Sequence, residues 1–124
     1  MQENPFTIVY ADDEADVRDT VADMLRAAGV RVCACKDGSE AIRACGEIKP
    51  DALLLDLNMP GMDGFAVARE IRSNPATARL RVVALTGRST WDMRIKALDA
   101  GFDEFMVKPI GTAHLVAVLR GKSA

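Results

Sequence analysis

The 124-residue sequence lacks the features that mark several large protein classes. No apolar run approaches the roughly 20 residues that a membrane-spanning helix needs. The opening MQENPFTIVY also lacks the basic-then-apolar pattern of a secretory leader. A cytoplasmic location with no membrane partner is therefore expected. Lysine and arginine total 16 against 18 aspartates and glutamates, a formal charge of −2, so the basic excess of a direct nucleic-acid binder is missing. Histidine occurs once, at His114, and Cys33, Cys35 and Cys45 form neither an even disulfide set nor a C-x-x-C pair. Zinc is disfavoured, and the thiols read as small residues in or near a core. Repeats, low-complexity tracts and internal linkers are absent as well. With 49% hydrophobic and 27% charged residues, the chain reads as one globular domain over 1–124, with its core over about 7–120.

What the chain does contain is an alternation. Apolar runs lie at 7–11, 30–34, 52–57, 80–86 and 102–107, and the third is apolar on both faces, as a central parallel strand should be. Helical spacing fills the gaps: Val17, Val21, Met24, Leu25 and Ala28, stopped at Gly29; then Ala41, Ile42 and Cys45; then Phe65, Ala68 and Ile71. Trp91, Ile95 and Leu98 mark a fourth helix, and Leu115, Val118 and Leu119 a fifth. Such a pattern predicts an α/β, flavodoxin-like doubly wound (βα)5 fold with a five-stranded parallel sheet in the order 2-1-3-4-5. Ligands of these sheets sit at the carboxyl ends of the strands, where the strand order reverses. Strands one and three flank that point and end in Asp12-Asp13 and Asp56, while strands four and five end in Thr86 and Lys108-Pro109. Three clustered carboxylates are costly unless a divalent cation joins them. An ammonium and a hydroxyl beside that cation suit a phosphoryl group, so the expectation is an aspartate that accepts phosphate. Taken alone, Asp12-Asp13-Glu14 also reads as a helix N-cap.

Four segments, in order, carry a resemblance over about Thr7 to Leu119: A-D-D-E at 11–14, L-L-D-L-N-M-P-G-M-D-G at 54–64, A-L-T-G at 84–87, and A-G-F-D-E-F-M-V-K-P at 100–109. On these the chain resembles the response-regulator receiver domains of two-component signalling, a CheY-like superfamily. The resemblance implies that Asp56 is the phosphoacceptor, assisted by Lys108 and Thr86. It implies Mg²⁺, with Mn²⁺ as an alternative, held by Asp13 and Asp56 directly, by Asp12 mainly through water and by the backbone carbonyl of Asn58. Backbone N–H groups of Asn58 and Gly87 would donate to phosphoryl oxygens, and Lys108-Pro109 would be a cis peptide. Thr86 and Phe105 would form the switch, Phe105 turning inward as Thr86 moves. Gly61 and Gly64 read as turn residues that let backbone approach the pocket.

The same resemblance implies a phosphohistidine donor on a histidine kinase or histidine phosphotransfer protein. It implies no enzyme activity beyond the domain's own phosphorylation and dephosphorylation, and a partner surface on the fourth helix, fifth strand and fifth helix. The downstream protein partner is not named by the sequence, and a monomer or a weak phosphorylation-dependent dimer fits equally. Gly87 departs from the more usual alanine and Phe105 from the frequent tyrosine, which touches coupling rather than phosphorylation; Arg88 overhangs the site. The chain reads either as a stand-alone regulator or as a receiver excised from a hybrid histidine kinase. A Mg²⁺-dependent aspartyl-phosphate phosphatase is a distant alternative, weakened because Asn58 stands where such enzymes need a second acid. A flavin carrier is weakened because Asp-Asp-Glu replaces a phosphate-binding loop after strand one.

Overall fold

The structure, a computed structural model, describes residues 5–57, 59, 63–87 and 90–121. Its elements alternate without exception: β1 (Thr7–Ala11), α1 (Ala15–Ala27), β2 (Arg31–Cys35), α2 (Gly38–Ile48), β3 (Ala52–Asp56), α3 (Gly64–Ser73), β4 (Arg81–Thr86), α4 (Trp91–Ala100), β5 (Glu104–Val107) and α5 (Thr112–Leu119). The five strands are parallel and ordered β2-β1-β3-β4-β5, as the alternation predicts. Because strand side chains alternate, the sheet has two apolar faces. Val9, Ala11, Leu53, Leu55, Val82 and Ala84 face α2, α3 and α4. Ile8, Tyr10, Leu54, Val83 and Leu85 face α1 and α5. β3 lies between β1 and β4 and is buried along its whole length, which is why ALLLD carries no outward polar position. A Leu→Ala change there would cost about 2–5 kcal/mol.

Local chemistry fixes the ends of the elements. Asp37, Asp63 and Thr90 cap α2, α3 and α4 by accepting from the backbone N–H groups of Glu40, Ala66 and Met93. Asp63 is therefore a cap, although it sits in the most motif-like stretch of the sequence. Gly29 and Gly101 take φ of +89° and +101° just past α1 and α4, the left-handed conformation that a side chain resists. Cys35 and Cys45 are buried in the core under α2. Burial pushes both thiols up to about 12, aided by the neighbouring Cys33 thiol.

Several expectations need correction. β2 runs 31–35 rather than 30–34, β4 begins at Arg81, and β5 is only 104–107. Phe102 and Asp103 leave the ladder because each has another task. Phe102 meets Phe65 edge-on at 6.3 Å, and Asp103 Oδ2 accepts from the Val82 N–H at 2.8 Å. A further correction concerns α4. Trp91, Ile95 and Leu98 lie on its outer side, with Trp91 76% and Leu98 71% exposed, while Ala97 and Ala100 are the buried positions. The helical spacing is real there, but the small residues, not the large ones, face the sheet.

Arg72 on α3 ties the far end of the molecule together. Its guanidinium donates to the carbonyls of Gly101 (2.9 and 2.7 Å), Ala78 (3.0 Å) and Leu80, and to Asp103 Oδ2 (2.9 Å). Replacing it with alanine orphans several carbonyls at about 1–3 kcal/mol each, tempered by water entry. Arg72→Ala is expected to lose about 2–4 kcal/mol in urea unfolding; a loss under about 0.5 kcal/mol would mean that water replaces the arginine at no cost.

Candidate functional site

The strand order does the first work of assembly. β1 and β3 are neighbours at the point where the order reverses, so Asp12 and Asp13 after β1 and Asp56 at the end of β3 meet at one edge. One carboxylate oxygen from each lies within 4.8 Å of the other two. β4 and β5 deliver the remaining groups: Thr86 stands opposite Val107, and the Lys108 N–H donates to the Thr86 carbonyl at 2.7 Å. Lys108 Nζ lies 3.3 Å from Asp12 Oδ2 and 3.8 Å from Asp56 Oδ2. The Lys108-Pro109 peptide is cis.

Burial differs sharply across these groups. Asp12 is 0% exposed, Asp56 6% and the Lys108 side chain 26%, while Asp13 is exposed and Thr86 is buried. Asp12 is held from every side. Its Oδ1 accepts from the Glu14 N–H at 3.0 Å, its Oδ2 from the Tyr10 hydroxyl at 2.8 Å, and its carbonyl from Arg18 Nη1 at 2.9 Å. Burial, together with the negative Asp12 that it donates to, holds the Tyr10 phenol well above its usual range, so it stays a protonated donor. The N-cap of α1 is Glu14, with no side-chain cap bond, so helix capping does not account for the Asp12-Asp13 pair.

Gly64 opens α3 against the end of β3. A Cβ there would come within 2.9 Å of the Asp56 carbonyl and the Leu57 Cα. The contact admits only glycine and brings the start of the helix, with its positive dipole end, up to the acidic strand end. Asn58, Gly61 and Arg88 lie outside the described residues, and with them the carbonyl ligand and one of the two backbone donors expected of this loop. Gly87 is exposed, with open space around it. Phe105 is half-buried on β5, with the Arg94 guanidinium 4.9 Å over its ring. His114 is exposed on α5.

Electrostatics show what this arrangement favours. Two unit charges about 4 Å apart interact by about 4 kcal/mol at an effective dielectric of 20, and by about 1 kcal/mol in water. Three carboxylates make three repulsive pairs, whereas Lys108 adds close attraction to only two of them. A further positive charge is strongly favoured. The donors are all hard oxygens, and octahedral Mg²⁺ with ligands at about 2.0–2.1 Å spaces those oxygens about 2.9–4.1 Å apart. Side-chain adjustments of less than an ångström bring the trio into that range, so the residues present fit such a cation. Mn²⁺ suits the same donors. Tyr10 and Arg18 were not legible as site residues, though strand alternation does place Tyr10 on the face of Asp12.

Comparison with known proteins agrees with this geometry. The response regulator receiver domain family matches residues 8–120. The chain is 39% identical over 110 residues to the transcriptional regulatory protein PrrA of Mycobacterium tuberculosis, covering 89% of this chain and 46% of PrrA. It thus spans about half the length of that curated relative. Among solved structures, chemotaxis protein CheY4 of Vibrio cholerae superposes with a TM-score of 0.88 at 25% identity, covering 94% of this chain and 98% of the other. The receiver domain of a sensor histidine kinase of Pseudomonas aeruginosa, solved with magnesium in its active-site cleft, gives 0.86 at 31% identity, over 94% and 96%. With the family model spanning nearly the whole fold and the acidic edge assembled as its strand order requires, this chain belongs to the response regulator receiver domains.

Proposed function

We propose that Asp56 accepts a phosphoryl group and that the resulting aspartyl phosphate switches the α4–β5–α5 surface for partner binding. One observation carries this reading: a nearly buried carboxylate ends the central strand, with an ammonium 3.8 Å away and two further carboxylates beside it. Receiver domains in general take the group from a histidine kinase, and a histidine phosphotransfer protein is the other donor of this chemistry. In the transfer, an Asp56 oxygen bonds to phosphorus while the phosphorus–nitrogen bond of phosphohistidine breaks. The electron pair returns to the imidazole, which takes up a proton.

Asp13, Asp56 and, through water, Asp12 would hold Mg²⁺, which when bound screens the carboxylates and the incoming phosphoryl oxygens. Lys108 supplies the other positive charge. It rests between Asp12 and Asp56 and needs only a small swing to pair with a phosphoryl oxygen. The Thr86 hydroxyl at the end of β4 donates to the same group, and Phe105 on the adjacent strand follows it inward as the bistable element. Catalysis of this kind is confined to the domain's own phosphorylation and dephosphorylation, so it is a switch rather than an enzyme acting on other substrates. Among the described residues no helix is long and apolar enough to cross a membrane. The three free thiols suit a cytoplasmic setting. A monomer or a weak phosphorylation-dependent dimer fits the mixed charges of the α4–β5–α5 face.

Incubation with phosphoramidate and Mg²⁺, read by intact mass, tests the reading. One phosphoryl group is expected, absent without Mg²⁺ and absent in Asp56→Asn. An adduct that persists in Asp56→Asn would move the acceptor elsewhere.

A further inference from the structure

Tyr10 stands in the apolar core between the sheet and the α1–α5 layer, among Ile8, Ala22, Leu25, Leu54 and Leu115, and is wholly buried. A phenyl ring would fill that space equally well. The hydroxyl is the part that core packing does not call for, and it is aimed at one atom: Asp12 Oδ2, 2.8 Å away. That oxygen is also the one that Lys108 contacts at 3.3 Å, while the Glu14 N–H occupies Oδ1 at 3.0 Å.

Two consequences follow for a carboxylate with no exposure to water. First, its plane is fixed by donors on both oxygens, so it meets a cation or the cation's water pre-oriented. Second, Lys108 has to leave Asp12 to reach a phosphoryl oxygen. A buried carboxylate stripped of its ammonium partner is strongly destabilised, and the Tyr10 hydroxyl stays bonded to the same oxygen when the lysine goes. We infer that Tyr10 is a positioning residue of the phosphoryl site, holding Asp12 in its cation-binding orientation and keeping it hydrogen-bonded when Lys108 moves away. This rests on the reading of the acidic edge as a Mg²⁺ site.

The test is calorimetric titration of the whole chain with Mg²⁺, for wild type, Tyr10→Phe, Asp12→Asn and the double variant, with thermal melts in chelator alongside. Partners that orient a metal ligand are typically worth about 10- to 100-fold in metal affinity. Tyr10→Phe is expected to weaken Mg²⁺ by that factor and to melt several degrees lower in chelator, because a buried charge loses a donor, while still folding, since the ring fills the core. In the Asp12→Asn background the tyrosine change should have little further effect, because the two act as one unit. Unchanged affinity in a folded Tyr10→Phe protein overturns the inference, as does an equal loss in both backgrounds. A wild type that binds no Mg²⁺ overturns instead the underlying reading of the site.

Should Tyr10→Phe not fold, the wild type still decides the matter. Tyr10 is the only tyrosine, so a ¹³Cζ label gives a single resonance. That resonance should shift with the same midpoint as Mg²⁺ binding, and a resonance that stays still through saturation overturns the inference.

Discussion

Lys108→Ala will destabilise the cation-free protein by about 3 kcal/mol, the lower end of the cost of breaking a buried ion pair. The lower end applies because Asp12 keeps its bonds to Tyr10 and the Glu14 N–H, and because the lysine is partly exposed. What remains is a set of clustered carboxylates with no neutralising ammonium beside them. Saturating Mg²⁺ should therefore restore more stability to this variant than to wild type, since a ligand that binds only the folded state stabilises it by mass action. Phosphoryl uptake should fall about 100- to 1,000-fold even at saturating Mg²⁺, the usual loss when one preorganised positive donor is removed from a reacting centre. Urea unfolding in chelator and in Mg²⁺, with a phosphorylation time course, measures both effects. Equal stability of variant and wild type in chelator would show that water already screens Asp12 and Asp56, contrary to their burial.

Asp13→Asn separates cation binding from folding. Asp13 is the exposed member of the trio. No hydrogen bond or ion pair from its side chain is evident among the described residues, and its removal lessens repulsion in the cation-free pocket. Thermal stability in chelator should stay the same or rise. Mg²⁺ affinity should fall at least about 100-fold, because loss of a direct ligand exceeds the about 10- to 100-fold cost of losing an orienting partner. Phosphorylation at low millimolar Mg²⁺ should fall with it and recover partly at higher concentration. An affinity within a few-fold of wild type would remove Asp13 from the ligand set and leave the buried pair, Asp12 and Asp56, to hold the ion.

Much of this site is legible in the sequence itself. Parallel strands put their carboxyl ends on one edge, so Asp12, Asp13, Asp56, Thr86 and Lys108 need only the alternation to be placed together. Two kinds of feature are not legible there. Orientation of a helix depends on what the sheet offers it: on α4 the sheet accepts Ala97 and Ala100, and Trp91 and Leu98 are left outside although their spacing is helical. Hydrogen bonds that cross elements are also invisible to local pattern. Arg72 to Gly101 and Asp103 spans about thirty positions, and Tyr10 reads as one more apolar residue in a strand until its hydroxyl is seen on Asp12. Asp63 shows the opposite error waiting in such motifs, since an acid next to the site is occupied in capping α3.

The central claim is chemical: the phosphoryl group is carried by the carboxylate that ends β3. Borohydride reduction of the phosphorylated protein tests it most directly, because an acyl phosphate is reduced to an alcohol while a free carboxylate is untouched. Peptide mapping should then find homoserine in place of aspartate at position 56, only when donor and Mg²⁺ were both present. Homoserine at position 12 or 13, or an adduct that resists borohydride and so is no acyl phosphate, would contradict the account.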